Sequence, residues 1–450
     1  MLDILQACYW YTTDRTTESP SLAGEIGADV AIIGAGFTGL WTAYFLKRLE
    51  PALDVVVLEQ GIAGYGASGR NAGMVSECID HSHDLAQIHF GKEEAKRLAH
   101  LGLKNIDELA EYAKDCDFER NGQLHVALTD GQLHDCEHAM QVATELGVKG
   151  YRMLSCDEVR TELNSPLYKG GLFTPGGGIL NPVKLVCKLK RDCQAQGVRF
   201  YDKSKVVAIG SNTLRTEKGV VSAEKMILAT DAYSHHLRPQ LLVMFVPLYD
   251  YILVSDPLSA SQLDSIGWKN RQGVTDGRTF FNYYRLTADN RILWGTSEAM
   301  YYPPNKVDTS CDHSEHHYKA LLESFARHFP QLDGLKFPYR WGGPIASTTR
   351  LTPFFGTMNG GRLLYGLGYT GHGIGTTRLA GSILAHMALS RDSELLELKM
   401  VRRKPFPYPP EPLRRHAIKA VTKSLQDVDA GHNPGLLLKM LDAMGIGFSS

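Results

Sequence analysis

The sequence predicts a mixed α/β fold, α+β overall. One part of the chain carries parallel strands around a glycine-rich turn, and another carries an antiparallel sheet. Three observations predict it. Asp29–Ile33 reads DVAII and runs straight into Gly34-Ala35-Gly36-Phe37-Thr38-Gly39. From Val246 onward, aromatic-rich strands follow one another without intervening helices, the pattern of an antiparallel sheet. Near the C-terminus, Leu363–Gly368 leads into another glycine-rich turn that opens a helix.

The DVAII run lacks polar alternation, which suits a strand buried on both faces. A helix follows from Thr38 to about Leu49, its apolar face supplied by Leu40, Trp41, Tyr44, Phe45 and Leu46, and Pro51 stops it. Asp54–Leu58 is a second buried strand that ends in Glu59. Gly34 permits a tight turn, Gly36 lets backbone approach a pyrophosphate, and Gly39 allows close helix–strand packing. The helix start at Phe37 and Thr38 offers free N–H groups to phosphate. Glu59, followed by Gln60, stands where a carboxylate accepts hydrogen bonds from ribose hydroxyls. Strand, glycines, helix, strand and acid together specify a Rossmann-like dinucleotide site.

A further loop comes directly after: Gly61-Ile62-Ala63-Gly64-Tyr65-Gly66-Ala67-Ser68-Gly69-Arg70-Asn71-Ala72-Gly73-Met74. A loop with so little side chain can lie along a cofactor larger than a nicotinamide dinucleotide. With Glu59 ahead of it, Gly66-Ala67-Ser68-Gly69-Arg70-Asn71-Ala72-Gly73 resembles the D-amino-acid oxidase, glycine oxidase and sarcosine oxidase superfamily of flavoproteins, and most of all its gamma-glutamylputrescine oxidoreductase branch. The resemblance implies FAD. It sets Ala67, Ser68 and Gly69 at the phosphates and Asn71, Ala72, Gly73 and Met74 nearer the flavin. For Arg70 it implies phosphate or flavin contact, against an ordinary salt bridge.

Helical spacing covers His83 to about Cys116, with Gly91 and Gly102 inside it as possible breaks. Gly122–Leu128 reads as a strand in which His125 alternates with apolar neighbours, and a helix from roughly Gly131 to Leu146 follows. Pro182 suits the first turn of a helix that Gly197 ends. Strands at Val198–Tyr201, Lys205–Ile209 and Lys225–Ala229 come next. By resemblance, the Val206 backbone meets adenine, and Thr230 lies where the chain returns to the cofactor. In the aromatic sheet, Tyr249 and Tyr251 share a strand face and are catalytic candidates as a wall or hydroxyl near the flavin, with core packing as the alternative. Arg285, Arg340 and Arg350 are candidates for pairing a substrate carboxylate, with structural pairing as the alternative. The resemblance implies a Rossmann-like FAD-binding domain assembled from discontinuous segments, 29–90, 151–240 and 339–400, and an antiparallel-sheet substrate domain. Segments 91–150 and 241–338 are expected to form the substrate domain, between an extension at 1–28 and a tail at 401–450.

Tyr339-Arg340-Trp341-Gly342-Gly343-Pro344 precedes the last signature, Tyr369-Thr370-Gly371-His372-Gly373-Ile374-Gly375-Thr376. A helix starting there suits the flavin edge that becomes negative on reduction. The resemblance assigns Gly343, Gly371, His372, Gly373, Ile374, Gly375 and Thr376 to FAD, with His372 also a catalytic candidate. Ser347–Pro353 contains no cysteine of the kind that tethers flavin in the sarcosine oxidase branch, so the expected attachment is non-covalent.

Lys and Arg number 48 against 49 Asp and Glu. Such balance gives no field to attract nucleic acid or anionic membrane. The eight cysteines are scattered. Cys311 with His313, His316 and His317 lacks the second cysteine of a zinc site, so no metal is expected. Reduced thiols, no signal peptide and no membrane-spanning run point to the cytoplasm. The expected reaction oxidises a C–N bond of a small amine or amino acid, with a polyamine derivative, an N-methyl amino acid or an aminophosphonate as substrate. Oxygen or an external acceptor takes the electrons. A C–O substrate such as a hydroxy acid, or a non-oxidase use of FAD, stays open, as does the oligomeric state.

Overall fold

A computed structural model describes residues 3–443 and residue 446. Its first sheet runs in the order Phe354–Met358, Leu363–Leu367, Gly219–Leu228, Gly24–Ile33, Val55–Leu58, Arg199–Tyr201. All neighbours are parallel except the first two strands. Thr213–Thr216 and Val206–Ile209 extend it off the Gly219–Leu228 strand. Successive residues enter different cores. Val30, Ile32, Val55 and Val57 pack toward the helices Phe37–Leu49 and Gly373–Leu389. Ala31, Ile33, Val56 and Leu58 pack beneath. Burial on both faces is why DVAII carries no polar alternation.

The second sheet runs in the order Tyr339–Ser347, Val246–Val254, Ile292–Tyr301, Asn282–Leu286, Gly273–Asp276, Gln123–Ala127, Gly170–Thr174, Arg152–Leu154. It is antiparallel except where Gly273–Asp276 lies parallel to Gln123–Ala127. Its far face packs on the helix Glu315–His328 through Tyr251, Leu253, Trp294 and Phe325. Its near face meets the loop around Tyr65 and Ala72 through Ile252, Val254, Leu293 and Trp341.

Two segment boundaries need correction. Arg152–Leu154 and Gly170–Thr174 belong to the second sheet, not to the FAD segment expected at 151–240. Short strands with little local signal are allotted by their pairing partners, which the sequence does not display. The expected extension at 1–28 is also an integral part of the fold. Its last residues open the Gly24–Ile33 strand, and Trp10 and Tyr11 are buried, donating to the carbonyls of Asn71 and Gly64 at 2.8 and 2.9 Å. The tail is tied down as well, since Thr349 Oγ1 donates to Phe406 O and Arg350 to Met400 O and Arg403 O.

The stretch from His83 divides at Gly91 into helices His83–Phe90 and Lys92–Tyr112. Gly102 stays inside the second, where a Cβ would lie 1.9 Å from the Glu77 carbonyl oxygen. It marks close packing and not a break.

Candidate active site

The first glycine turn is shaped by contact with its own surroundings. Gly34 has φ +100°, and a Cβ there would stand 2.8 Å from Ala229 O and 3.2 Å from the Thr230 methyl. On Gly39 it would stand 2.0 Å from Gly34 O. At Gly36 the nearest atom would be Ser68 Oγ at 3.0 Å, and that hydroxyl accepts the Phe37 N–H at 2.8 Å. Glu59 is buried, its two oxygens accepting the Ala35 and Gly61 amides at 2.9 Å each. Burial raises its pKa, opposed by those amides. The Ser204 amide donates to Glu59 O, which brings Val206 beside this carboxylate's segment, while Gln60 is exposed.

The loop Gly66–Met74 lies between this turn and the near face of the second sheet. Ala67–Arg70 forms one helical turn that Asn71 closes: its Nδ2 donates to Ala67 O and Ser68 O, and its Oδ1 accepts the Gly73 amide. A Cβ on Gly69 would meet Gly64 O and the Tyr11 hydroxyl at 2.5 Å each. One on Gly73 would meet Leu180 O at 2.1 Å. Met74 pairs with Ile179 in a short two-stranded sheet.

Arg70 is buried and pairs with Asp312 at 2.9 Å, donating also to Tyr65 O and Gly342 O. Its Nη2 has no partner and is buried. Gly343 leaves the space above the Arg70 side chain, where a Cβ would come within 3.2 Å. Trp341 Nε1 donates back to Arg70 O at 2.8 Å.

The second glycine turn converges on the first. Tyr369 accepts a hydrogen bond from Thr38 Oγ1 at 2.9 Å. The helices behind the turns are pressed together so closely that a Cβ on Gly381 would meet Trp41 Cβ at 2.5 Å. Beyond Gly371, His372 is the N-cap of Gly373–Leu389 and supplies no side-chain cap. Ile374 is buried, Asn105 Nδ2 donates to Gly375 O, and Thr376 Oγ1 donates to Ile79 O. Gly371 has φ +84° with nothing within 4 Å of its Cβ direction.

His372 and His81 meet edge to face at 4.2 Å between ring centroids. The Nδ1 atom of each is buried without a partner. Burial holds both rings below the ordinary histidine pKa, most strongly at His81, where His372 adds to the effect. Two neutral imidazoles therefore face each other beside the second turn. Sequence reasoning missed His81, since a histidine in a loop gives no periodic signal. It also missed the grouping of Cys78, Asp80 and His83, whose ligand-type atoms lie within 4.8 Å of one another.

For two sets of candidates the structural alternative holds. Tyr249 and Tyr251 do share a face, but it is the far one. The Tyr249 hydroxyl donates to Asp308 O at 3.0 Å, and the Tyr251 hydroxyl donates to Cys311 O at 2.9 Å while its ring stacks on His317. Both are fully buried. The alternation rule held, but it cannot say which face meets the loop. The arginines are spent on structure. Arg285 donates to Gly73 O, Leu180 O and Leu286 O and lies over Trp10, and burial pushes its pKa down to about 9. Arg350 holds Pro353 O and the two tail carbonyls. Arg340 is half exposed beside Glu315. His125 bonds the Thr275 hydroxyl at 2.7 Å.

In place of the expected tyrosines, the near face presents Asp250 and Tyr283, joined by a 2.6 Å hydrogen bond from the phenol to Oδ2.

The description "FAD dependent oxidoreductase" matches residues 29–387, a span that reaches from the first strand through both glycine turns. The chain belongs to this FAD-dependent oxidoreductase family. Among curated relatives of this flavoprotein family, gamma-glutamylputrescine oxidoreductase of Escherichia coli is 32% identical over 402 residues, covering 88% of this chain and 91% of that one. "Probable oxidoreductase OrdL" of Haemophilus influenzae is 31% identical over 409 residues, covering 87% and 90%. Glycine oxidase from Geobacillus kaustophilus shares the fold with TM-score 0.69 at 20% identity, over 84% of this chain and 99% of that one. The resemblance read from the Gly66–Gly73 loop is thereby shown, as are FAD dependence and the α/β flavoprotein fold.

The residues present fit FAD. The oxygens of Glu59, the open cradle at Gly371 and Gly373, and the unpartnered Arg70 Nη2 and His372 Nδ1 offer a chain of polar and empty positions. Among the described residues, no helix is long and apolar enough to cross a membrane.

Proposed function

We propose that this flavoprotein oxidises a C–N bond of a small amine, with FAD held non-covalently. The observation that carries the reading is the convergence of the two glycine-lined helix starts, joined by Thr38 and Tyr369, opposite a sheet face that presents Asp250 and Tyr283. Similarity to the gamma-glutamylputrescine enzyme supports the choice of an amine. A polyamine derivative is the favoured substrate type. Ser347–Pro353 offers no cysteine for a flavin tether.

When bound, FAD supplies the acceptor for the two electrons and the hydrogen leaving the carbon beside nitrogen. The imine then takes up water and separates into a carbonyl compound and an amine. The chain's part is binding and electrostatics. The Gly66–Met74 loop lies flat because Asn71 ties its turn and Arg70 pins it to Asp312. The start of Gly373–Leu389 turns free N–H groups toward the cleft, and such a helix end stabilises nearby negative charge by about 1 kcal/mol. His372 and His81 are kept neutral by burial, so they do not compete with a cation for the site. The second sheet closes the cleft against water. Oxygen or an external acceptor then takes the electrons.

Purified protein is expected to be yellow and to release flavin on denaturation. Anaerobic addition of gamma-glutamylputrescine, putrescine or N-methylglycine is expected to bleach the flavin absorbance with at least one of them. Bleaching by 2-hydroxy acids alone would replace this reading with C–O oxidation.

A further inference from the structure

We propose that Asp250 and Tyr283 form a subsite for a positively charged nitrogen, so that the enzyme selects cationic amines over substrates held by a carboxylate. This rests on the amine-oxidising reading above and names what that site recognises.

The placement follows from strand alternation. Leu248, Asp250, Ile252 and Val254 share one face of Val246–Val254. Ile252 and Val254 pack with Ile62, Tyr65 and Ala72, so Asp250 points to the side of the cofactor loop. Its cross-strand partner is Gly343, the residue beneath Arg70. Tyr283 lies on the same face, two residues before Arg285, which grips Gly73 O.

The pair spans an intervening strand. Tyr283 pairs directly with Gly295, and Asp250 lies on the strand beyond it. A Cβ on Gly295 would sit 2.2 Å from the Tyr283 ring. Any other residue at 295 would push the phenol off the sheet and away from the carboxylate. Glycines at 295 and 343 thus flatten the floor on both sides of Asp250.

The hydrogen bonding of the pair is incomplete. Asp250 Oδ1 accepts the Tyr251 amide at 2.7 Å and Oδ2 accepts the Tyr283 hydroxyl. A carboxylate has about four acceptor positions, so two stay open. Asp250 has no ion-pair partner among the described residues, and both side chains keep partial exposure although they sit deep in the protein. Burial raises the Asp250 pKa to about 7, and a cation placed beside it would favour the charged form.

The buried arginines offer a carboxylate less, although Arg70 Nη2 stays unpartnered. Arg285 and Arg350 are consumed by backbone carbonyls, and the charge of Arg70 is balanced by Asp312. An amino-acid carboxylate placed here would meet the uncompensated Asp250. A protonated amine would replace the missing counter-ion with a charge-assisted hydrogen bond. Multiply charged polyamine-type substrates fit, one nitrogen at Asp250 and another presented for oxidation.

The test uses the holoenzyme and two probes of the same shape. tert-Butylammonium carries a cation and has no α-hydrogen, so it binds without being oxidised. Pivalate is its anionic counterpart. Binding is read from the change each causes in flavin absorbance. The expected result is saturable perturbation by tert-butylammonium at concentrations where pivalate has no effect. Asp250→Asn is expected to weaken the cation about tenfold, and Tyr283→Phe, which keeps the ring over Gly295, about threefold. Should Asp250→Asn lose its flavin, Tyr283→Phe carries the measurement. Equal binding of the two probes, tighter pivalate, or titrations unchanged in the folded variants overturn the subsite. Amines that still bleach the flavin in that case leave the C–N reading standing. If no amine bleaches it, the C–N reading fails on its own account.

Discussion

At the first glycine turn a Cβ on Gly39 would lie 2.0 Å from a backbone oxygen, whereas at the second a Cβ on Gly373 comes no closer than 3.7 Å to anything. The sequence writes both turns in the same alphabet, a strand running into glycines and then a helix. The structure separates their reasons. In the first, the protein fills the space where side chains would be, because helix Phe37–Leu49 must sit hard against the Gly24–Ile33 strand. In the second, a Cβ on Gly373 would make only ordinary contacts with Tyr369 and Thr377, and one on Gly371 would meet nothing within 4 Å. Glycine serves packing in one turn and access in the other, so substitutions at the two should fail in different ways.

The largest effect is expected at Gly39→Ala. The new methyl has only backbone to push against, and overpacking of this kind costs about 3 kcal/mol. Urea unfolding of the apoprotein measures it. Gly373→Ala is expected to leave apoprotein stability within about 0.5 kcal/mol, since the position begins a helix and has room. It should weaken FAD about 10-fold or more by occupying the cleft, a loss of about 1.4 kcal/mol, read by flavin fluorescence titration. If Gly373→Ala unfolds the apoprotein as readily as Gly39→Ala, the contrast between packing and access is wrong.

A smaller effect tests the link between the turns. Thr38→Val removes the hydrogen bond to Tyr369 and should cost about 1 kcal/mol. A double-mutant cycle with Tyr369→Phe should show the two losses to be non-additive. Additive losses would mean that the turns approach without being coupled.

The smallest effect is in pH dependence. Because burial lowers the pKa of His81 and His372 in the folded state, the unfolded chain binds protons first as pH falls. Their contribution is complete above the ordinary histidine range and is lost as pH drops from about 6.5 toward the depressed folded values. The wild-type thermal midpoint should therefore fall on this acid limb, and His81→Gln should flatten it. An unchanged limb would show that the imidazole pair does not titrate with unfolding.

Much of this was legible in the chain. DVAII, the six-residue glycine turn and Glu59 specified their strand–turn–helix unit because the positive φ at Gly34 and the 2.0 Å approach of a Gly39 Cβ to Gly34 O arise within that unit. The Val246–Val254 strand was read with its bounds intact, since β-branched and aromatic runs between turn residues leave little choice. The helix at Pro182 likewise follows from its own first turn. What failed was everything that depends on facing. Tyr249 and Tyr251 were placed on one face together, but the neighbour that fills that face is the helix Glu315–His328, more than sixty residues downstream. For Arg285 and Arg350 the structural alternative holds, through carbonyl partners such as Gly73 O and Met400 O that lie far off in sequence. Arg70 showed the same limit, since its counter-ion Asp312 carries no local mark.

By itself, then, the sequence determined most of the elements, the two glycine turns and a dinucleotide site, because those rest on short-range sterics and on hydrogen bonds within one strand–turn–helix unit, while FAD followed from resemblance to a known family. Tertiary structure alone decided which sheet takes Arg152–Leu154 and Gly170–Thr174, and which charges are already paired. It also decided that Asp250 and Tyr283, and not the neighbouring tyrosines, lie on the sheet face turned toward the Gly66–Met74 loop. A side chain's partner is fixed by the packing of remote segments, and a period of two in a strand leaves both faces equally possible until something covers one of them.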